Sequence, residues 1–132
     1  PLPLFTGSSF SQKRDFNWSK PMLVLIDELA GSCGDIFPML VKANGRAKLF
    51  GNTTMGLGGN VEPVGVLTNS QISVNMTRGL FYPYNPDRDP LPSEFIENNG
   101  VAADIPYRHT VDDFRAGYVG YIKAFSDAAV LQ

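Results

Sequence analysis

Residues 23–36 read LVLIDELAGSCGDI, an apolar run that breaks into small residues around one serine and then continues with a helical pattern. Strand side chains point sideways, so a hydroxyl is exposed at a strand end only in a sharp turn with small neighbours, here Ala30, Gly31 and Gly34. The first N–H groups of the next helix lack helical partners and would stabilise a negative oxygen beside Ser32. From residue types alone, the stretch fits an ordinary strand–helix turn as well as a nucleophile.

Size and composition limit the class of protein. At 132 residues with a formal net charge of −2 and one cysteine, the chain is one domain with a real core. Its lysines and arginines form no basic stripe, which argues against nucleic acid as a partner. No apolar run approaches the roughly 20 residues of a membrane span. A single cysteine excludes a disulfide framework and four-cysteine zinc sites, and we expect neither cofactor nor metal.

Hydrophobic periodicity and turn residues predict an α/β fold. The first strand is near-continuously apolar, as in a parallel strand buried on both faces, and a helix and a second strand follow in a crossover. The predicted elements are a strand at Met22–Glu28, a helix at Gly34–Asn44 ending at Asn44-Gly45, a strand at Arg46–Gly51, a hairpin of Val61–Leu67 and Gln71–Thr77, a short strand at Arg78–Tyr82, a surface loop at Tyr82–Leu91, and a helix from the Thr110/Asp113 capping box to Ala129 with Phe114, Tyr118, Tyr121, Ile122 and Phe125 on one face.

The N-terminal stretch differs in composition from the rest. Residues 1–19 are rich in Pro, Ser and Gly and read as a flexible or processed segment, whereas residues 20–132 read as one unit. Because the first residue is proline and the start is no signal peptide, we expect a fragment or processed piece of a longer protein.

Four stretches together resemble one family of enzymes. They are SKPMLVLIDE at 19–28, SCGDI at 32–36, KANGRAKLFGNTTMGLGG at 42–59 and SEFIENNGVAADI at 93–105. In order and spacing they are similar to the catalytic core of the C-terminal processing (tail-specific) and tricorn-core serine peptidases, and most to the branch of the chlamydial protease-like activity factor. The resemblance implies a crotonase-like spiral of ββα units, of which this chain supplies the C-terminal part.

The resemblance also implies the site residues. Ser32 matches the nucleophile, and the backbone N–H of Cys33 matches an oxyanion donor. Many relatives use a lysine of the glycine-rich loop as base, but Leu57 stands at that position, which excludes a serine–lysine dyad. The remaining option is a serine–histidine–glutamate arrangement with Glu97 as its acid. In an extended segment Glu94 and Glu97 face opposite sides, so only one of them reaches the site.

The expected histidine does not match any position of this chain. His109, the only histidine, precedes the capped helix, where the family has no catalytic group, so we expect the base from sequence outside this chain. A rival interpretation makes Cys33 a thiol nucleophile paired with His109, but adjacent residues at a sharp turn point in different directions, which favours Ser32.

Three acidic residues near the serine have structural interpretations. Asp35 is read as the acid of the helix N-terminus. Asp27 and Glu28 end the first strand, where a structural role is favoured over positioning the histidine.

The loop at Gly56–Asn60 lacks the Gly-Lys-Ser/Thr ending of a phosphate-binding loop and is read as the rim of the substrate cleft.

The function that follows is peptide-bond hydrolysis through an acyl-enzyme. The implied partners are a protein or peptide substrate and the N-terminal part of the same protein, which carries the histidine; a homodimer is compatible with the resemblance. The resemblance implies a secreted or periplasmic location. The alternative is a non-catalytic peptidase-like module that binds a peptide or an apolar ligand, against which the presence of both Ser32 and Glu97 argues.

Overall fold

The computed structural model describes residues 18–82 and 95–131. The predicted N-terminal segment therefore lies outside the described residues except for its last two, and so does nearly all of the loop predicted at 82–91. The elements are β1 (Leu23–Ile26), α1 (Cys33–Ala43), β2 (Lys48–Gly51), β3 (Gly59–Val66), β4 (Ser73–Leu80), β5 (Ile105–Pro106), α2 (Val111–Arg115) and α3 (Val119–Val130).

Two small sheets make up the strand content. β1 pairs in parallel with β2, which pairs in parallel with β5, and β3 and β4 form a separate antiparallel hairpin. The predicted strand–helix–strand unit and the predicted hairpin are confirmed. Because parallel strands end at the same edge of a sheet, the turn after β1 and the loop after β2 start side by side.

The core joins the parallel sheet to the segment that precedes β5. Leu49 of β2 and Ile96 are almost completely buried, and they pack in one cluster with Ile26, Met39 and Val101. Ile96 is the neighbour of Glu97, so burial of its side chain fixes the backbone that carries the glutamate.

Two predictions about strands are wrong. Residues 78–82 do not form a strand of their own, because Arg78 to Leu80 belong to β4, where Leu80 and Gly79 pair with Gly59 and Asn60 of β3. β1 is not buried on both faces, since Leu25 keeps 44% of its surface exposed. Among the described strands, β1 has a partner on one side only.

The predicted terminal helix is two helices. Its capping box is confirmed, since Asp113 N–H donates to the Thr110 hydroxyl and the Asp113 carboxylate accepts from the Thr110 N–H. Gly117 and Tyr118 then adopt left-handed φ angles of 66° and 63°, which an α-helix cannot continue through. The predicted aromatic face is therefore divided, and Phe114 is 71% exposed on the short α2.

The predicted end of α1 is confirmed. Asn44 is the C-terminal cap, with its N–H bonded to the Leu40 carbonyl, and Gly45 follows with a φ of 60°. A glycine in the left-handed conformation directly after a helix is a common helix stop. It turns the chain back toward β2.

Candidate active site

Ser32 occupies a strained turn between β1 and α1. Its φ of 57° and ψ of −115° lie in a region that a residue with a Cβ adopts only at a cost of about 1–3 kcal/mol. Its carbonyl accepts from the N–H groups of Asp35 (2.9 Å) and Ile36 (3.0 Å), which starts the helix. Its hydroxyl makes no capping bond, and the residue is exposed. Within the described residues, the turn thus presents an exposed hydroxyl with no bonded partner at the positive end of an 11-residue helix.

Cys33 is the first residue of α1 and carries an exposed free thiol. Among residues 18–82 and 95–131, its backbone N–H has no hydrogen-bond acceptor. Exposure alone does not distinguish Ser32 from Cys33 as nucleophile. The two residues differ in backbone conformation, because the strained turn conformation belongs to Ser32 whereas Cys33 is already helical.

Glu97 is held by two donors of the hairpin. Its Oε2 accepts from the Gly59 N–H at 2.6 Å, and its Oε1 accepts from the Thr77 hydroxyl at 3.1 Å. The prediction of an extended segment is wrong, since the Asn99 N–H donates to the Ile96 carbonyl at 2.9 Å and closes a turn. The direction of Glu94, which lies outside the described residues, stays a prediction.

Asp35 does more than its predicted role at the helix N-terminus. It does lie in the first turn of α1, but its carboxylate is fully buried and accepts from the N–H groups of Gly56 and Leu57, both at 2.9 Å. These donors lie more than 20 residues further along the chain. The spacing of residues along the sequence does not predict such a contact. The only sequence features that point to it are an acidic residue near the serine and a glycine-rich loop further along the chain.

The loop at 53–59 connects the serine turn to Glu97. The Met55 N–H donates to the Ala30 carbonyl at 2.8 Å, and a Cβ added to Gly31 would lie 3.4 Å from Leu57 Cδ1. The apolar side chain of Leu57 therefore stands beside the serine turn. The loop N–H groups of Gly56, Leu57 and Gly59 already bind carboxylates, which agrees with the interpretation that this loop is no phosphate cradle.

His109 packs into an aromatic cluster. Its ring centroid lies 4.4 Å from that of Tyr121, 5.6 Å from Tyr118 and 6.1 Å from Tyr107. Within the described part of the chain, no hydrogen bond joins His109 to Ser32 or to Glu97. The structure thus gives His109 packing partners and no link to the serine.

Asp27 and Glu28 have local partners. Asp27 Oδ1 accepts from the Leu29 N–H at 2.9 Å, and Glu28 Oε2 accepts from the Asn52 amide at 3.1 Å. The pKa of Glu28 is below its ordinary value because its own backbone N–H and then Asn52 donate to the carboxylate, with a smaller contribution from the charges of His109 and Arg108. Both acids therefore stabilise the end of β1.

A concavity of about 330 Å³ lies away from this site, at the amino ends of β1 and β2. It is lined by Lys20, Lys42, Arg46, Lys48 and Asp104, among others.

Where the structure describes the chain, no group of three potential ligand residues could hold a metal ion. No helix of the described part is both long and apolar enough to cross a membrane.

Comparisons with known proteins identify the family of this chain. The profile of peptidase family S41 matches residues 6–107. A protein of Chlamydia pneumoniae is 35% identical over 126 residues, which are 94% of this chain and 19% of that protein. The structure of mature CPAF complexed with lactacystin matches with a TM-score of 0.72 and 34% identity, covering 85% of this chain and 20% of that one. The tricorn protease matches with a TM-score of 0.65 and 28% identity, over 80% of this chain and 10% of its own.

These matches confirm the family resemblance inferred from the four sequence stretches. They also confirm a mixed helix and strand fold similar to that of CPAF and the tricorn protease. This chain spans about a fifth of the length of the chlamydial relative and of CPAF.

Proposed function

Because the chain belongs to peptidase family S41, we propose that it carries the nucleophile and the acidic residue of a serine endopeptidase. The observation that supports this best is the conformation of Ser32, an exposed serine with a free hydroxyl in a strained turn at a helix N-terminus. Backbone strain of this kind clusters at active sites, and the Ser32 side chain makes no capping bond that would account for it.

The reaction begins with attack of the Ser32 hydroxyl oxygen on the carbonyl carbon of the scissile peptide bond. The hydroxyl proton passes to a histidine from sequence outside this chain, because a serine hydroxyl is a weak nucleophile without a base. The Cys33 N–H stabilises the developing oxyanion. The histidine then protonates the leaving amine, and an acyl-enzyme on Ser32 remains, which water hydrolyses with the same histidine as base.

Glu97 orients the histidine and stabilises its charged form. A carboxylate that accepts a hydrogen bond from an imidazole fixes the tautomer whose other nitrogen faces the serine. The bonds from Gly59 and Thr77 hold the Glu97 carboxylate in one position. The same loop contacts the segments that carry Ser32 and Glu97. The Leu57 N–H donates to Asp35, close to the serine turn, and the Gly59 N–H donates to Glu97.

The proposed function also concerns the part of the protein outside this chain. We propose that this chain is the C-terminal part of a larger catalytic core, that the complete core is a crotonase-like spiral of ββα units, and that the 132 residues alone are inert. The edge of β1 that no described strand pairs with, and the exposed Leu25, support a further segment packing there. A secreted or periplasmic location and a homodimer stay predictions.

The test of this function is Ser32→Ala in the full-length protein, measured by peptide hydrolysis. Loss of a triad nucleophile costs on the order of a million-fold in turnover, and the variant should remain folded because the Ser32 hydroxyl makes no capping bond. A variant that keeps more than about a hundredth of the wild-type turnover would contradict the assignment.

A further inference from the structure

On the basis of the proposed function, we propose that Asp35 is a positioning residue. Through the loop at 53–59 it holds Glu97 at the correct position relative to Ser32. Asp35 lies in the first turn of α1, three residues after the nucleophile. Its two hydrogen bonds go to the middle of the loop whose last residue binds Glu97. Asp35 touches no reacting atom and acts through the backbone of this loop.

The burial of Asp35 requires the two loop donors. A carboxylate with none of its surface exposed is strongly unfavourable unless hydrogen bonds replace the lost water. Among the described residues no cation pairs with it, and its side-chain bonds are those from the Gly56 and Leu57 N–H groups. Charge-assisted bonds of this kind are roughly twice as strong as neutral ones, so they fix the loop relative to the start of α1.

Leu57, which Asp35 holds, lies close along the chain to Gly59, which binds Glu97. Leu57 and Gly59 are separated by one residue, so their Cα atoms lie at most about 7 Å apart. Gly58 between them packs closely against the buried Ile96, since a Cβ added there would lie 2.5 Å from Ile96 Cγ2. A displacement at Leu57 is therefore passed on to the Gly59 N–H, which donates to Glu97 at 2.6 Å.

The loop keeps other anchors when Asp35 is changed. The Met55 N–H still donates to Ala30, and the Gly56 carbonyl still accepts from the Asn98 N–H at 2.8 Å. Loss of the carboxylate should loosen the loop without releasing it. We therefore expect a folded variant with a misaligned site.

The experiment compares Asp35→Asn with Asp104→Asn in the full-length protein. An asparagine has one acceptor oxygen, so one of the two loop N–H groups loses its partner. Asp104 is a matched control, since its carboxylate also accepts a backbone N–H, from Leu49 at 2.9 Å, and pairs with Lys42 at 3.1 Å, but it lines the concavity away from Ser32.

We expect both variants to lose thermal stability but only one of them to lose turnover. Both variants should lower the thermal midpoint, whereas only Asp35→Asn should lower kcat, by about 10- to 100-fold with KM within about twofold. The acidic limb of its kcat/KM profile should move to lower pH, because a misaligned Glu97 stabilises the histidinium less. Should Asp35→Asn not accumulate as folded protein, Asp35→Ser removes the same charge with a smaller side chain.

Equal kcat values and superimposable pH profiles for Asp35→Asn and Asp104→Asn would overturn the positioning role. Failure of the underlying function is recognised separately, by measuring Ser32→Ala in the same series. Activity that survives Ser32→Ala rejects the nucleophile itself. Activity lost in Ser32→Ala but unaffected in Asp35→Asn rejects the role of Asp35 alone.

Discussion

Glu97 Oε2 lies 2.6 Å from the backbone nitrogen of Gly59, the first residue of β3. This bond joins the turn that carries the glutamate to the hairpin and to the loop beside Ser32. A carboxylate that orients a histidine must be held in place by surrounding groups. The Gly59 N–H and the Thr77 hydroxyl hold the carboxylate for which we propose this role.

Gly59→Ala is expected to displace Glu97. An added Cβ would lie 2.8 Å from Glu97 Oε2 and 2.4 Å from Thr77 Cγ2, so both groups must move. A displacement of about 1 Å costs on the order of a hundredfold in turnover, measured as kcat on a peptide substrate. Gly65→Ala is the matched control, since nothing lies within 4 Å of a Cβ at that position of β3. Equal turnover in the two variants would count against the role of this contact.

Glu97→Gln should lower turnover by roughly a thousandfold or more. An amide does not stabilise the charged histidine and favours the wrong tautomer. Glu62→Gln is the control, because Glu62 is exposed on the same hairpin and its partner Arg78 is 3.7 Å away on the surface. Glu94→Gln is expected to be nearly silent. A comparable loss of kcat in Glu94→Gln would show that the wrong carboxylate has been assigned.

Acid should destabilise α2 through Asp113. The pKa of Asp113 is below its ordinary value of 3.8 because the Thr110 N–H and hydroxyl, and then the Tyr107 hydroxyl, donate to its carboxylate. A lowered native pKa means that the unfolded chain binds the proton more readily. This contribution is therefore fully present above the unfolded pKa and is lost as the pH falls through the native one.

The measurement is the thermal midpoint of wild type and Asp113→Asn from about pH 6 to about pH 2. The variant should be less stable at the upper end, and the two curves should converge as the pH falls. Asp112→Asn is the control, since the Asp112 side chain is 92% exposed, and its curve should run parallel to wild type. A constant difference between wild type and Asp113→Asn would show that the carboxylate charge contributes nothing.

Local patterns in the sequence predicted the serine turn, the end of α1 and the capping box, because each depends on residues within one turn of chain. The break at Gly117 and Tyr118 was missed, since an apolar helical period continues through it and Tyr118 is not a residue that commonly adopts a left-handed φ. The bonds from Asp35 to the loop and from Gly59 to Glu97 join residues 21 to 38 positions apart. Such contacts follow from the packing of the whole chain, which single-sequence periodicity does not contain.

We propose that Ser32 is an activated nucleophile whose base comes from outside this chain. Labelling of the full-length protein with a fluorophosphonate probe, with the modified residue mapped by mass spectrometry, tests it most directly, because the probe reacts only with an activated hydroxyl. We predict modification at Ser32, no modification in Ser32→Ala, and unchanged labelling in His109→Ala. Absence of labelling in the wild type, modification at Cys33, or loss of labelling in His109→Ala would contradict the account.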